Sequence, residues 1–379
     1  GSKEVDKVVK KNGGYYKNVI DWFELDPEVK ASEGSVSGPY SKIEIKPIQL
    51  GQLALVKKYL TDIGWKPDDW TAKKIGNKWV NQSPKLTDSS LEPLGLVGKM
   101  IGKYYMLRQR LAVVEGWLDI VELWGDGRLH GDMFCIGTPS FRCRHRGIVN
   151  IPGVHASYGK ELRSLLTCEK GHKLVGADSA GNQFRGLAHY MKDDKFTASV
   201  VTGKESDGTD AHSRNASILG ISRSKAKSFI YAYLFGAGVA KLGEVITGLK
   251  SPKAGKIADA KFSEAFPLLK ELKDDLIYEF NHNKMKTGIG FIKGADGRRI
   301  FVGSEHQLLN YLLQTLEGIT CKTALVYQYK AIKELGIENT YPILIYHDET
   351  AWVTPTKHAK TVLDISIAGF REGPKSVGV

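Results

Sequence analysis

Two apolar segments that lie far apart in the chain, and that each end at an acidic residue, most constrain how this sequence can fold. Residues 174–177 lead directly to Asp178, and residues 343–346 lead to a turn that contains Asp348. Short apolar runs bounded by turn residues predict β-strands. Residues from about 210 to 285, which lie between the two segments, follow an almost wholly helical pattern. We therefore predict an α+β fold in which a helical lobe is inserted between strands of one sheet.

The remaining sequence predicts mostly helices around this core. Apolar spacing, together with the glycine and serine residues at the ends of the patterns, predicts where these helices begin and end. The predicted helices are 49–64, 88–122, 183–192 and 304–336. The first has Leu50, Leu53, Leu55 and Leu60 on its apolar face and ends at Gly64. Ser304 is the predicted cap of the last helix, and Gly336 is its predicted end. Residues 287–303 predict a β-hairpin with its turn at 294–297, and residues 32–42 predict a linker.

The chain is strongly basic, with a net charge of +12. Such a charge indicates a polyanionic partner, either nucleic acid or an anionic membrane surface, although a basic solvated surface is the alternative. No apolar run is long enough to span a bilayer. The four cysteines lack the spacing of a metal site and the density of a disulfide scaffold, so we expect them to be reduced and the protein to be cytoplasmic.

The two strand-end acids are candidate metal ligands. A carboxylate at the tip of an apolar strand is costly if it is partly desolvated and unpaired. If Asp178 and Asp348 converge, a divalent cation would neutralise them, and Mg²⁺ is typically held by one or two carboxylates, waters and substrate phosphates. The residues alone leave open the alternative of two unrelated turn aspartates.

A second candidate site lies on the predicted helix at 222–238. Arg223, Lys227, Tyr231 and Phe235 recur every four residues, so that two cations and then two aromatic rings follow one face. This order suits a triphosphate lying along the helix with its base stacked at the far end, and His212 is a further phosphate donor. A solvated basic face is the alternative. The chain has neither a P-loop nor a dinucleotide-binding glycine motif.

Two amides mark a third candidate site. Asn310 and Gln314 are four residues apart on a predicted helix and therefore share a face. Amides on one face can reach a DNA minor groove, where hydrogen-bond acceptors dominate and recognition tolerates sequence differences. A pair of helix-surface amides without function is the alternative.

Together these segments resemble a known family. GADSAGNQFRGLAHY, RSKAKSFIYAYLFGAG, LLNYLLQTLEGITCK and IYHDETAWV occur in that order. They resemble the family A DNA polymerases, the DNA polymerase I group, and are most similar to the replicative polymerases of podovirus-type bacteriophages. The resemblance extends from about residue 125 to about residue 353, and the order of four motifs makes it specific.

The resemblance implies a right-hand fold with a palm, fingers and a short helical thumb. The implied domains are an N-terminal segment with an abbreviated thumb at 1–120, the first part of the palm at 121–190, fingers at 191–290 and the second part of the palm at 291–379, with no exonuclease domain. The implied partners are primer–template DNA and a dNTP, and a processivity factor or a separate exonuclease is a further expectation. A membrane partner is not expected, and a viral protein of this kind would act in the host cytoplasm.

The resemblance also implies roles for individual residues. Asp178, Asp348 and Lys227 would be catalytic, and both acids would hold two Mg²⁺ ions, for which Mn²⁺ can substitute, with help from the Ser179 carbonyl. The implied nucleotide-binding residues are Gln183, His212, Arg223, Lys227, Tyr231 and Phe235. The implied DNA-binding residues are Arg142, Arg163, Asn310, Gln314 and His347, with Glu349 and Arg185 as supporting residues.

The sequence departs from the family pattern at two coupled positions. Family members usually have glutamate where this chain has Gln183, and tyrosine where it has Phe235. In the family these two side chains lie together beneath the sugar of the nucleotide. We expect Gln183 to keep the size of a steric gate against the 2′-hydroxyl and to reject ribonucleotides less strongly. Tyr231, where many relatives have phenylalanine, predicts ready acceptance of dideoxynucleotides.

We therefore expect a DNA-templated DNA polymerase that extends a primer 3′-hydroxyl with dNTPs and releases pyrophosphate. A metal-dependent nuclease or phosphohydrolase is one alternative, but hydrolysis does not need the cation-and-aromatic helix. A non-catalytic nucleic-acid-binding module is another, but it does not need both Asp178 and Asp348.

Overall fold

A computed structural model describes residues 2–5, 7–28, 40–43, 47–75, 78–148 and 150–379 of the chain. Two units are present, Gly1–Val113 and Val114–Val379. The linker predicted at 32–42 lies mostly outside the described residues, and its last three positions belong to a strand, β2 (Tyr40–Ile43). No described helix combines the length and the apolar character needed to cross a bilayer.

The described residues of the first unit form two small antiparallel sheets and several helices. Strand β1 pairs with β2, and β3 pairs with β4. A small core of Val56, Leu60, Trp65, Leu91 and Ile101 holds helices α2, α3 and α4 together. The elements are β1 (Ser2–Val5), α1 (Lys17–Phe23), β2, α2 (Leu53–Asp62), β3 (Trp70–Ile75), β4 (Lys78–Pro84), α3 (Asp88–Leu91) and the start of α4 (Gly95–Trp124).

Two helix predictions in this unit need correction. Helix α2 begins only at Leu53, so Leu50 precedes it. Leu50, Leu53 and Leu55 are exposed, and the residues of α2 that are buried in the core are Val56 and Leu60. The helix predicted at 88–122 begins at Asp88, after a capping box formed by Thr87, but it is interrupted. A 3₁₀ turn at Glu92–Leu94 separates α3 from α4. Pro93 causes this break, since proline cannot donate a helix hydrogen bond and its ring clashes with the preceding turn.

The second unit is built on a three-stranded antiparallel sheet in the order β10–β11–β7. Trp352 of β11 is completely buried and lies opposite Val175 of β7. Both pack with Ile332 of helix α13 and Val362 of helix α14. The strands are β7 (His172–Asp178), β10 (Tyr341–Tyr346) and β11 (Glu349–Pro355), and the helices are α13 (Leu308–Glu334) and α14 (Ala359–Glu372).

A helical insertion separates β7 from β10, as predicted. Its core contains fully buried Phe229, Ile230 and Phe262, and Asp193, Asp210, Ser222 and Ser251 cap four of its helices through their side chains. The helices are α6 (Asn182–Met191), α7 (Asp194–Val201), α8 (Ala211–Leu219), α9 (Arg223–Leu234), α10 (Val239–Thr247), α11 (Pro252–Ala265) and α12 (Pro267–Thr287).

Two hairpins and a short helix complete the unit. Strands β5 (Asp132–Phe134) and β6 (Arg144–Arg146) pair, and helix α5 (Gly159–Ser164) follows. Strands β8 (Phe291–Lys293) and β9 (Arg299–Phe301) form the hairpin predicted around residues 294–297. Three 3₁₀ segments also belong to this unit, at Glu305–Gln307, Thr356–His358 and Pro374–Val377.

The predicted cap of helix α13 is wrong, although its predicted end is confirmed. Ser304 precedes the 3₁₀ turn and does not cap a helix; its hydroxyl donates to Gln307 instead, at 3.1 Å. Helix α13 begins only at Leu308. At its other end Gly336 has a φ of +61°, which glycine adopts without strain.

Helix α13 closely approaches the loop between β5 and β6. A Cβ atom on Gly318 would lie 2.8 Å from the carbonyl oxygen of Phe141 and 3.4 Å from the amide nitrogen of Arg142. Both are backbone atoms that cannot rotate away. Gly318 therefore lets the loop that carries Arg142 lie directly against the helix.

We predict that Gly318→Ala lowers the melting temperature by several degrees, because the new methyl group must push the loop away. Gly116→Ala is the matched control, since Gly116 lies in α4 and a Cβ atom added there would meet no other atom within 4 Å. Alanine there should keep or raise the melting temperature, because it favours a helix by about 0.5–1 kcal/mol over glycine. Equal melting temperatures for both variants would contradict a steric role for Gly318.

Candidate active site

The antiparallel register of β7 and β11 brings the two predicted acids to one edge of the sheet. Asp178, the last residue of β7, lies opposite Glu349, the first residue of β11. Asp348 occupies the tight turn before β11, next to His347, whose φ is +55°. The Ser179 amide donates to the backbone carbonyl of Asp348 at 2.9 Å. The convergence of Asp178 and Asp348 is therefore a property of the backbone pairing.

The carboxylates at this edge repel one another. Partial burial, followed by the charges of Asp178 and Glu317, raises the pKa of Asp348 to about 6. Burial and the charge of Asp178 also raise the pKa of Glu349. Within the described residues no lysine, arginine or histidine forms a salt bridge with Asp178, Asp348 or Glu349. The site thus has an excess of negative charge that a cation would neutralise.

The donor set fits a divalent ion that is completed by substrate. Among the described residues, no group of three or more His, Cys, Asp or Glu side chains could hold a metal ion by itself. Asp178 and Asp348 provide two carboxylates, and Mg²⁺ commonly binds one or two carboxylates with waters and phosphates. The Ser179 carbonyl accepts the Asn182 amide at 3.2 Å, which leaves its second lone pair for a ligand.

The two cationic residues of helix α9, Arg223 and Lys227, differ in their salt-bridge partners. Arg223 is held by two acids, Asp210 at 3.2 Å and Glu205 at 3.1 Å. Lys227 is exposed and forms no salt bridge with any described residue. The pKa of His212 is lowered by burial and then by the charge of Arg223, with a smaller effect of Lys227. The three predicted phosphate ligands are therefore near one another. Neither Lys227 nor His212 forms a salt bridge with a described residue, and the buried Nδ1 atom of His212 has no hydrogen-bond partner among them.

The aromatic part of α9 is close to the acids. Burial, followed by the charges of Asp348 and Glu317, raises the pKa of Tyr231. The Tyr231 ring packs edge-on against Phe184, with 5.4 Å between ring centroids, and lies 6.1 Å from the ring of Phe235. Phe235 follows the last residue of α9, so it is not on the helix as predicted, although its ring still contacts Tyr231.

One residue of the site, Glu317 of α13, was not predicted from the sequence. Its side chain is 2% exposed, and its Oε2 atom accepts from Arg142 at 2.6 Å and from Gln183 at 3.0 Å. The signal was present in the spacing, because Asn310, Gln314 and Glu317 follow one helix face at i, i+4 and i+7. Extending the amide pair by one turn would have found it.

The remaining predicted residues lie around this centre. The Gln314 amide donates to the Asn310 side-chain oxygen at 2.7 Å, so the two do share a face. Arg163 donates to the carbonyls of Pro152 and Ile151, at 2.9 and 3.3 Å.

Two further predicted residues contact their own chain neighbours. The His347 ring lies 4.3 Å from that of Tyr346, between ring centroids. Arg185 donates to the Ala180 carbonyl at 3.0 Å, so it contacts the turn that leads from Asp178 into α6.

Comparison with known proteins identifies the family. The model of DNA polymerase family A matches residues 68–370. The chain belongs to this family.

Individual relatives agree with this assignment. The DNA-directed DNA polymerase of Enterobacteria phage T3 is 26% identical over 383 residues, which cover 91% of this chain and 52% of the relative. The DNA-directed DNA polymerase of Escherichia phage T7 is 27% identical over 345 residues, which cover 82% of this chain and 46% of the relative. The chain therefore spans about half the length of these two relatives.

A solved structure shows the fold. The POL domain of Pol1 from M. smegmatis, in complex with DNA primer-template and dNTP, superposes with a TM-score of 0.68 at 18% identity. The match covers 86% of this chain and 59% of that domain's chain. The α+β right-hand polymerase fold expected from the sequence is thereby confirmed.

We predict that Asp348→Asn stabilises the protein in a pH-dependent way when EDTA removes divalent ions. A raised pKa means that the folded state favours the protonated acid, so the wild type loses stability as the pH rises from about 4 to about 6. Asparagine stays uncharged. The melting temperature of the variant should therefore exceed that of the wild type by an amount that grows over this pH interval and then levels off. Adding Mg²⁺ should reduce this difference.

Asp119→Asn is the control for this measurement, because Asp119 is an exposed aspartate on α4. Its melting-temperature difference from the wild type should be small and should not respond to Mg²⁺. A gain for Asp348→Asn that is the same at every pH would show that charge repulsion is not its cause.

Proposed function

We propose that this chain is a DNA-templated DNA polymerase core that extends a primer 3′-hydroxyl with dNTPs. One observation carries the proposal: two strand-end carboxylates converge at a sheet edge, close to a helix that presents an unpaired lysine and an aromatic ring. A nuclease would need the acids but not the lysine and the ring. The net charge of +12 favours a polyanionic partner.

Asp178 and Asp348 are proposed to hold two Mg²⁺ ions, with the Ser179 carbonyl as an additional ligand. When bound, two such metal ions would activate the attacking hydroxyl and stabilise the charge of the leaving pyrophosphate. Glu349, opposite Asp178, adds negative charge that supports cation binding. A bound cation would also favour the ionised form of Asp348, whose pKa is raised by burial and then by the charges of Asp178 and Glu317.

The residues of α8 and α9 are proposed to bind the incoming nucleotide. Arg223 and His212 bind phosphate oxygens, with Arg223 already oriented by Asp210. Lys227 donates a proton to pyrophosphate, or neutralises it, as it leaves. Tyr231 stacks near the sugar, and its edge-on contact with Phe184 fixes the ring for that role.

Gln183 and Phe235 are proposed to lie beneath the sugar. Gln183 acts there as the steric gate against a 2′-hydroxyl. The Tyr231 side chain favours acceptance of dideoxynucleotides.

The DNA is proposed to contact the face of α13 and the adjoining turns. Asn310 and Gln314 provide amides to the minor groove of the primer–template, and Arg142 adds a cation. His347 contacts the primer end beside Asp348. Arg163 contributes to DNA binding indirectly, through the loop whose carbonyls, those of Pro152 and Ile151, accept its hydrogen bonds.

The domain assignment is proposed in the same terms. Residues 121–190 and 291–379 form the palm, residues 191–290 form the fingers, and residues 1–120 contain a short thumb. The sheet β10–β11–β7 and the insertion α7–α12 support the palm and fingers assignments.

We predict that Asp348→Ala reduces primer extension in Mg²⁺ by about 10³-fold or more, because it removes half of the carboxylate pair. The assay measures elongation of a labelled primer annealed to a longer template, with all four dNTPs. Asp119→Ala is a surface control that should extend the primer as the wild type does.

The same assay separates the competing functions. Shortening of the primer by the wild type, lost in Asp348→Ala, would indicate a nuclease and overturn the proposal. DNA binding without elongation or shortening would indicate a non-catalytic module and would overturn it equally.

We predict that Lys227→Ala lowers kcat for nucleotide addition by about 10²-fold or more, the usual contribution of a positioned proton donor. Lys225→Ala is the matched control on the same helix, because the Lys225 ammonium donates to the carbonyl of Ile246 at 2.7 Å. It should leave kcat nearly unchanged. Similar losses in both variants would argue for a general charge effect of the helix and against a specific role of Lys227.

A further inference from the structure

Glu317 is a buried acid that accepts hydrogen bonds from two of the residues proposed to bind the nucleotide or the DNA. It is 2% exposed and accepts hydrogen bonds from Arg142 and Gln183 through a single oxygen atom. Its other oxygen, Oε1, is buried and has no hydrogen-bond partner among the described residues. A carboxylate in such a place is costly unless its partners are well oriented, and the 2.6 Å contact with Arg142 meets that requirement.

Glu317 is not needed to attach the Arg142 loop to helix α13. Lys322, which follows Glu317 by five residues on the same helix, donates to the carbonyls of Cys135 and Phe141, at 2.5 and 2.6 Å. Gly318 provides the space for the close approach of the same loop. These other contacts with helix α13 therefore hold the loop against the helix. The carboxylate of Glu317 instead orients the Arg142 side chain.

The second contact of Glu317 sets the orientation of the Gln183 amide. A carboxylate only accepts hydrogen bonds, so Gln183 must turn its NH₂ group toward Glu317. The Gln183 carbonyl oxygen is then directed elsewhere, and it is buried without a partner in the described part of the chain. Without Glu317, the amide could rotate, because neither end would have a charged partner.

We propose that Glu317 is a positioning residue that orients Gln183 for discrimination between deoxyribose and ribose and orients Arg142 for contact with the primer–template. This inference rests on the proposed polymerase function. The negative charge next to Gln183 is supplied from helix α13. Sugar discrimination therefore depends on a pair of side chains, Gln183 and Glu317, that are 134 positions apart in the sequence.

The first test is Glu317→Gln, which keeps the size of the side chain and removes its charge. The ratio of kcat/KM for a dNTP to that for the matching NTP should fall about tenfold, as expected when a hydrogen bond to a charged group is lost. The affinity for primer–template DNA should fall as well, because Arg142 loses its charged partner. In a Gln183→Ala background, Glu317→Gln should no longer change the sugar ratio.

Glu279→Gln is the matched control. Glu279 is a partly buried glutamate of α12 that accepts from the Lys293 amide at 3.0 Å, away from the proposed site. Its substitution should not change the sugar ratio or the DNA affinity. Melting temperatures measured on all variants separate unfolding from a change in specificity.

The second test exchanges the two side chains. Gln183→Glu alone places two carboxylates against each other, which should reduce dNTP incorporation by like-charge repulsion. Adding Glu317→Gln restores one acid and one amide, so the double variant should incorporate dNTPs better than Gln183→Glu alone. This rescue would not occur if the two side chains acted independently.

The outcomes distinguish this inference from the polymerase proposal. A wild type that extends the primer, but whose sugar ratio is the same in Glu317→Gln, contradicts the positioning role and leaves the polymerase proposal intact. A fall in the ratio that persists fully in the Gln183→Ala background also contradicts it. A wild type that does not extend primers overturns both.

Discussion

The pairing of β7 with β11 is the interaction on which the candidate site depends. A shift of one residue would turn every side chain of β7 to the opposite face and move Asp178 away from the turn that carries Asp348. The register is held by buried residues behind the site, where Val175 lies opposite Trp352. The indole of Trp352 is fully buried and donates to Gln328 at 3.0 Å. Apolar packing on one face of the sheet therefore determines where the charges at its edge lie.

This arrangement is electrostatically unfavourable at the candidate site. Asp348 is partly desolvated beside Asp178, and neither carboxylate has a salt-bridge partner among the described residues. The preceding residue, His347, has a left-handed backbone conformation, which is unfavourable for a residue with a Cβ atom. Strain and unpaired charge at one turn are tolerated because the surrounding sheet and helices fix the turn. Both features are typical of sites that bind a cation or substrate.

Much of this could be predicted from the sequence, because the informative signals are local. Apolar runs ending at Asp178 and Asp348 predicted the strands, and the four-residue spacing predicted the face of α9. Most errors arose where a distant contact decides the outcome, whereas the break at Pro93 has a local cause. Leu53 and Leu55 have helical spacing but remain exposed. The helix spacing places Glu317 on the face of Asn310 and Gln314, but its contacts could not be predicted, because its partners, Arg142 and Gln183, are 175 and 134 positions away in the sequence.

Glu317 also changes how the departure at Gln183 should be interpreted. Taken alone, glutamine at a position where the resemblance implies glutamate suggests a site without a negative charge there. The structure contains a carboxylate within 3.0 Å of the Gln183 amide, contributed by another helix. A site is defined by the charges and hydrogen-bond donors that its geometry brings together, whichever segments supply them. The sequence around position 183 shows only an amide, and it is the three-dimensional arrangement that shows the acid next to it.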